Sequence, residues 1–349
     1  MAPRVTALLN SYVHDRYVME ALGSVVTQAS SRPVDIVILS PKSDFEVPPP
    51  LARAAEERGH SLRVVRIPVG PAGAGLMLGA RAAQGDYLAV LDDDDLWEPG
   101  KIRWIETEVE RTPGVGYLHN SQRFVDERNR PLFALNPHRL VRHPSSLLPE
   151  GREIVVDPRD PMSIARGMTL APDFNNSSCV IDRSILLETS AALERVARGE
   201  DSFLFYSALL SGRRLALTSN RLTRYRLHAA ASTAGESRGA RGIAALDGYV
   251  AYASDHVDMI RLILDHLPDH ALPEVPEWLA HEDAFWSTLR DVALREVRGP
   301  EALSRVRELL GRGSVRPRTR EVYAALWGAW AILSPGLARA AFRAWRFAW

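Results

Sequence analysis

Four short apolar runs, at residues 5–9, 34–39, 62–67 and 87–91, alternate with segments that read as helices at 17–28, 51–57 and 72–83. The first three runs are rich in β-branched and aliphatic side chains, and all are too short for buried helices. Within residues 17–28, Tyr17, Ala21, Val25 and Gln28 recur at the spacing of one helical face. Strict alternation of strand and helix requires right-handed crossovers, which gives an α/β fold with a mainly parallel sheet and helices on both faces. Ligands of such sheets bind beyond the carboxyl ends of the strands. The loops after Leu9, Leu39 and Leu91 are therefore where chemistry is expected.

Residues 117–181 are less regular, with Pro131, Pro137, Pro144, Pro149, Pro158, Pro161 and Pro172 among Asn, Ser and Arg. A long irregular stretch inside a compact domain reads as functional loops. From about residue 240 the helical period dominates. Trp278, Phe285, Trp286, Leu289 and Ala293 share one face, and Leu303, Val306 and Leu310 mark another. Stripes at this spacing face a core. The expected division is a sheet domain over residues 1–238 and a helical extension over 239–349.

Lys and Arg number 43 and so do Asp and Glu, so there is no basic excess to hold nucleic acid. Cys179 is the one cysteine, which rules out an internal disulfide and a thiolate metal cluster. No stretch approaches the ~18–20 apolar residues that span a bilayer, and residues 5–9 are too short for a signal-peptide core. A cytoplasmic protein is expected. Trp327, Trp330, Trp345 and Trp349 gather near the C-terminus with Arg339, Arg343 and Arg346. Two readings of that tail stay open: peripheral contact with the inner membrane face, or docking onto protein, including a homodimer.

The sharpest local feature is Leu91-Asp92-Asp93-Asp94-Asp95-Leu96-Trp97-Glu98-Pro99. Four adjacent carboxylates repel one another unless a cation neutralises them, and hard oxygen ligands suit Mg²⁺ or Mn²⁺. The competing reading is an acidic turn that caps the helix beginning near Pro99, although one Asp would serve that purpose. Gly73-Ala74-Gly75-Leu76-Met77-Leu78-Gly79 imitates a dinucleotide fingerprint, yet its spacing is one residue too long.

Taken together these residues resemble the family 2 glycosyltransferases, inverting enzymes with the GT-A fold, over roughly residues 4–235. Val5-Thr6-Ala7-Leu8-Leu9-Asn10-Ser11-Tyr12 is similar to the family's first strand and nucleotide-binding turn. Ala83-Gln84-Gly85-Asp86-Tyr87 leading into Leu91-Asp92-Asp93-Asp94-Asp95 resembles its most specific signature, which ends in an Asp-x-Asp turn. Gly199-Glu200-Asp201, then Gly212 and a short strand, is similar to the Glu-Asp motif, and Tyr225-Arg226-Leu227-His228 with Ser232 to the closing Arg-x-His loop. Asn10 stands where proline is common, Val13 and Met77 where asparagine is common, and Ser40-Pro41-Lys42-Ser43 replaces an Asp-Asp-Gly-Ser loop.

The resemblance implies transfer of a sugar from a UDP-, dTDP- or GDP-linked donor to an acceptor hydroxyl of unknown identity. It places a Mg²⁺ or Mn²⁺ ion at Asp92 and Asp94 with His228, and a sugar hydroxyl or metal-bound water at Asp95, with Trp97 also at the substrate. The nucleotide falls to Asn10, Ser11, Tyr12, Asp15, Ser40, Gly79, Asp92, Asp93 and Arg226. Asp201 is the implied general base, with Glu200 beside it to raise its pKa. A catalytically degenerate binder of nucleotide or sugar, suggested by the altered 40–43 loop, and a dinucleotide oxidoreductase remain as alternatives.

Overall fold

A computed structural model describes residues 3–11, 16–132, 149–228, 243–268, 271–272, 274–294, 299–309 and 328–329. The chain forms two compact units, Met1–Leu227 and His228–Trp349. The expected boundary at 238/239 falls within residues 229–242, outside the described residues.

The first unit opens with β1 (Val5–Asn10), α1 (Val18–Val26), β2 (Asp35–Ser40), α2 (Pro49–Glu57), β3 (Ser61–Arg66), α3 (Ala72–Ala82) and β4 (Tyr87–Asp92), the alternation that the apolar runs imply. There follow β5 (Leu96–Trp97), α4 (Lys101–Arg111), β6 (Val115–Val125), β7 (Glu153–Val156) and α5 (Pro161–Gly167). Then come β8 (Cys179–Asp182), α6 (Arg183–Glu188), α7 (Ser190–Leu193), α8 (Glu200–Leu210) and β9 (Arg214–Arg226). Among the described residues the sheet runs β3-β2-β1-β4-β8-β6-β9-β5, with β7 also paired to β9. β1 is parallel to β2 and β4, β2 to β3, and β6 to β9, so most of the sheet is parallel. β8 lies antiparallel between β4 and β6. β1 and β2 are buried throughout, as strands covered on both faces must be, whereas edge strand β3 is half-exposed.

Residues 117–181 hold more regular structure than their composition suggests. β6 is an eleven-residue strand that reads Val-Gly-Tyr-Leu-His-Asn-Ser-Gln-Arg-Phe-Val, and its polar centre hides it from a search for apolar runs. β9, expected as a short strand ahead of a loop, extends over thirteen residues and includes Tyr225 and Arg226.

Two glycines are dictated by close approach. A Cβ on Gly79 would lie 3.0–3.1 Å from Leu39 and Leu8, so this residue lets α3 settle on β1 and β2. A Cβ on Gly85 would sit 2.5 Å from the Thr6 backbone nitrogen, while the Gly85 N–H donates to Thr6 Oγ1 at 2.8 Å.

In the second unit, α9 (Ile243–Leu264), α10 (Glu274–Leu294) and α11 (Gly299–Leu309) pack in sequence. Leu279, Phe285, Leu289, Val292 and Ala293 bury one face of α10, and Trp286 stacks against His256 with ring centroids 4.6 Å apart. Among the described side chains of α11 the buried ones are Ala302 and Leu309, while Leu303 is 45% exposed, which corrects the expected stripe. Leu310 and the Trp/Arg tail lie outside the described residues. No helix among the described residues is long and apolar enough to cross a membrane.

Gly85→Ala is expected to destabilise the first unit by about 1–3 kcal/mol, because strand backbone cannot yield to the added methyl. Urea unfolding checks this, and a midpoint equal to that of the wild type contradicts it.

Candidate active site

β1 and β4 end side by side, with Asn10 paired in register to Asp92. The acidic run leaves β4 there, turns through an Asp95 N–H to Asp92 carbonyl bond of 3.2 Å, and enters β5, which pairs with β9. The turn does not cap the next helix. α4 starts from Gly100, in the left-handed region at φ +93°, and makes no side-chain cap bond.

Neutral groups hold the turn. Asn10 Nδ2 donates to Asp92 Oδ1 at 3.0 Å, and the Asp92 N–H donates to Ser177 Oγ at 3.0 Å. The Arg226 N–H donates to Asp95 Oδ1 at 2.9 Å. Burial, reinforced by the charges of Asp94 and Asp95, pushes the Asp92 carboxyl well above the usual carboxylate range. Burial and the charge of Asp94 push Asp95 up in the same way. Carboxylates crowded in this way cannot all ionise without a compensating cation.

Arg226 is fully buried and its guanidinium is spent on the fold. Nε donates to the Asp94 carbonyl at 2.7 Å, Nη1 to the Glu127 carbonyl at 3.1 Å and Nη2 to Glu20 Oε2 at 2.8 Å. Its plane lies 4.3 Å from the Tyr17 ring centroid. Arg226 was expected at the nucleotide; its guanidinium clamps the acidic turn to α1 and to the turn that follows β6.

Residues 174–178 form the other support. The Ser177 carbonyl accepts from Lys101 Nζ at 2.6 Å, Trp97 Nε1 at 3.0 Å and Thr223 Oγ1 at 3.0 Å. Lys101 also donates to Asn120 Oδ1 at 2.8 Å, and burial lowers its ammonium to about 7. The polar centre of β6 serves the same segment: His119 Nε2 donates to the Phe174 carbonyl at 2.8 Å and Gln122 Nε2 to Ser178 Oγ at 2.8 Å. Trp97, expected at the substrate, is 2% exposed and belongs to this support.

The same segment reaches the Glu-Asp motif. The Asn175 N–H donates to Asp201 Oδ2 at 2.9 Å, and Asn176 Nδ2 faces Glu200 Oε1 at 3.5 Å. Both acids sit in the first turn of α8, where the helix dipole favours negative charge. Burial and the neighbouring Glu200 charge nonetheless raise Asp201 to about 7. Glu200 is raised by burial, and its charge is felt in turn at Asp92. Asp92, Asp95, Glu200 and Asp201 thus share one site through Asn175–Ser177, a link that the sequence reading passed over.

The remaining expected residues fall variously. Asn10 and Ser11 lie at the end of β1, where the Ser11 N–H donates to the Leu39 carbonyl at 2.8 Å. Ser40 is buried at the end of β2 and its Oγ accepts from the Lys42 N–H at 3.3 Å. Gly79, expected at the nucleotide, has a packing role instead. Asp93 is buried in the turn, and His228 is buried at the start of the second unit. Tyr12 and Asp15 lie outside the described residues.

A family model described as "Glycosyltransferase like family 2" matches residues 3–245. The chain belongs to this family. Its sheet order and the structures it resembles give it the GT-A fold. S. aureus TarS 1–349, in complex with UDP-GlcNAc, aligns over 97% of this chain and 91% of that one, with TM-score 0.54 and 12% identity. The mannosyltransferase PcManGT from Pyrobaculum calidifontis, in complex with GDP-Man and Mn²⁺, aligns over 99% and 85%, with TM-score 0.52 and 17% identity. In sequence, an uncharacterized glycosyltransferase of Nostoc sp., alr2836, is 26% identical over 117 residues, which is 34% of this chain and 36% of that protein. The match therefore spans about a third of the curated relative's length.

In this glycosyltransferase a lysine at position 226 keeps the charge but cannot reach all three acceptors of the guanidinium. Arg226→Lys is expected to lower stability by roughly 1–3 kcal/mol and Arg226→Met by more. Denaturant unfolding measures both, and a lysine variant as stable as the wild type contradicts the clamp.

Proposed function

We propose that the chain moves a sugar from a nucleoside-diphosphate donor to an acceptor hydroxyl, with inversion, at the acidic turn. The observation that carries this reading is the hydrogen-bonded link, through Asn175–Ser177, between a crowded acidic corner and a carboxylate raised to about 7. A leaving diphosphate and a base that accepts the hydroxyl proton are the two needs of such a transfer.

A divalent cation fits the corner on its chemistry. Asp92 and Asp95 are buried beside the charge of Asp94, and the donors on offer are hard carboxylate oxygens. Among the described residues no group of three His, Cys, Asp or Glu forms a ready-made metal cage. Mg²⁺ and Mn²⁺ sites that work on phosphates do not need one, because one or two carboxylates and the phosphate oxygens complete the shell. Asp92 and Asp94 would hold the ion. Bound there, it would supply Lewis-acid stabilisation to a departing diphosphate.

This chain's own groups do the rest. Arg226, Asn10 and Ser177 fix Asp92, Asp95 and the backbone of the turn between them. The Asn175 and Ser202 N–H groups each donate to Asp201 at 2.9 Å, which orients its carboxylate. Asp201 takes the proton of the acceptor hydroxyl, on the face of the sugar opposite the diphosphate. UDP, dTDP and GDP are the candidate nucleotides; the UDP-GlcNAc complex of TarS and the GDP-Man–Mn²⁺ complex of PcManGT support this class.

Three outcomes test the reading. Asp201→Asn is expected to abolish transfer and to leave nucleotide-sugar binding intact; transfer at a near wild-type rate contradicts the assignment. A base must be deprotonated to work, so kcat/KM should fall about tenfold per pH unit below the Asp201 pKa of about 7 and level off above it. A profile flat down to pH about 5 contradicts this base. Chelation should remove the thermal stabilisation that UDP or GDP confers, with recovery on adding Mn²⁺ in the wild type but not in Asp94→Asn.

A further inference from the structure

We propose that Lys101 is a positioning residue for the transfer, a role that rests on Asp201 acting as the base. Through the Ser177 carbonyl, its ammonium sets the spacing between Asp201 and the acidic turn. Lys42 and Lys101 are the chain's two lysines, and arginine makes up the rest of its 43 basic residues. Lys101 is 0% exposed and opens α4, where the helix dipole disfavours a cation. Burial also works against the charged form.

Stability does not account for such a group. Its acceptors are all neutral: the Ser177 carbonyl at 2.6 Å, Asn120 Oδ1 at 2.8 Å and Thr223 Oγ1 at 3.4 Å. The Trp97 ring centroid lies 5.0 Å from Nζ. A buried cation whose hydrogen bonds go to neutral groups stabilises a fold less than an apolar side chain of the same length. Three acceptors from three segments suit the tetrahedral donors of an ammonium and not the planar fork of a guanidinium. That difference explains a lysine here in a chain that otherwise uses arginine.

The three acceptors belong to residues 174–178, to β6 and to β9. They are also bonded to one another. Asn120 Nδ2 donates to Thr223 Oγ1 at 3.0 Å, and Thr223 Oγ1 donates to the Ser177 carbonyl at 3.0 Å. Lys101 closes this ring and so seats Ser177 on the sheet. From Ser177 two short paths lead to the acids. Its Oγ accepts from the Asp92 N–H. Its own N–H donates to Asn175 Oδ1, and the Asn175 N–H donates to Asp201 Oδ2. A shift of Ser177 therefore changes the distance between the acidic corner and the base, on which a displacement reaction depends steeply. Lys101 touches no reacting atom and acts through Ser177.

Lys101→Met in the full chain keeps the length of the side chain and removes the ammonium. Its melting midpoint is expected to equal or exceed that of the wild type. Calorimetry in Mn²⁺ is expected to give affinities for UDP and GDP within about 3-fold of the wild type. Release of UDP from UDP-GlcNAc or of GDP from GDP-mannose, with water as the acceptor, is expected to fall about 10- to 100-fold in kcat at an unchanged KM. A variant that releases diphosphate at the wild-type rate overturns the proposal. So does one whose diphosphate affinity falls as far as its kcat, since the lysine would then only hold the turn together. A second measurement needs neither a variant nor turnover. In wild-type protein labelled with ¹⁵N-lysine, Lys42 and Lys101 are the two sources of side-chain ammonium signals. At pH about 6, below the Lys101 value of about 7, adding Mg²⁺ with UDP or GDP is expected to shift the Lys101 signal. A Lys101 signal unmoved in protein saturated with diphosphate overturns the proposal. A wild type that binds neither UDP nor GDP overturns the donor reading itself.

Discussion

Carboxylates confined to one turn at the end of a buried strand are the constraint on which this molecule is organised. Asp92 closes β4 beside the last residue of β1, and Asp95 is locked to the backbone of β9. The groups that hold these two acids are the Asn10 amide, the Arg226 N–H and the Ser177 and Asn175 side chains, all neutral, so they fix position without cancelling charge. Two buried cations bond the backbone of the turn and of its support. Arg226 bonds the Asp94 carbonyl and Lys101 the Ser177 carbonyl. A rigid, crowded anion at a sheet rim is matched to a ligand that brings positive charge with it, which is the property of a metal–diphosphate donor.

Residues 174–178 explain why the chain tolerates so much buried polarity around that corner. His119, Asn120 and Gln122 would be unfavourable in the middle of a central strand unless each found a partner. They find them in the Phe174 carbonyl, Lys101, Thr223 and Ser178. The Ser177 carbonyl collects three donors, its hydroxyl fixes Asp92, and its N–H fixes Asn175, which in turn holds Asp201. Acidic residues more than a hundred positions apart in sequence are thereby set by one short turn.

Much of the fold could be read from sequence because its signal is local. β1 to β4 are apolar runs, and the helices between them carry a helical period, so both elements and order were legible. The acidic turn and Gly199-Glu200-Asp201 were legible as motifs. What escaped depends on contacts distant in the chain. β6 has no apolar period through its centre because its side chains answer to residues 174–178. Gly79 and Trp97 carry signatures of binding residues but are consumed by packing, and Arg226 by the clamp. Leu303 misled because a stripe of only a few positions does not establish which face of α11 is buried.

The most direct measurement is phosphorus NMR of a nucleoside diphosphate bound to the protein as Mn²⁺ is added. If the acidic turn holds the ion against the diphosphate, both phosphorus resonances broaden strongly in the wild type and the effect vanishes in Asp94→Asn. Equal broadening in wild type and variant, or none in either, would contradict the account.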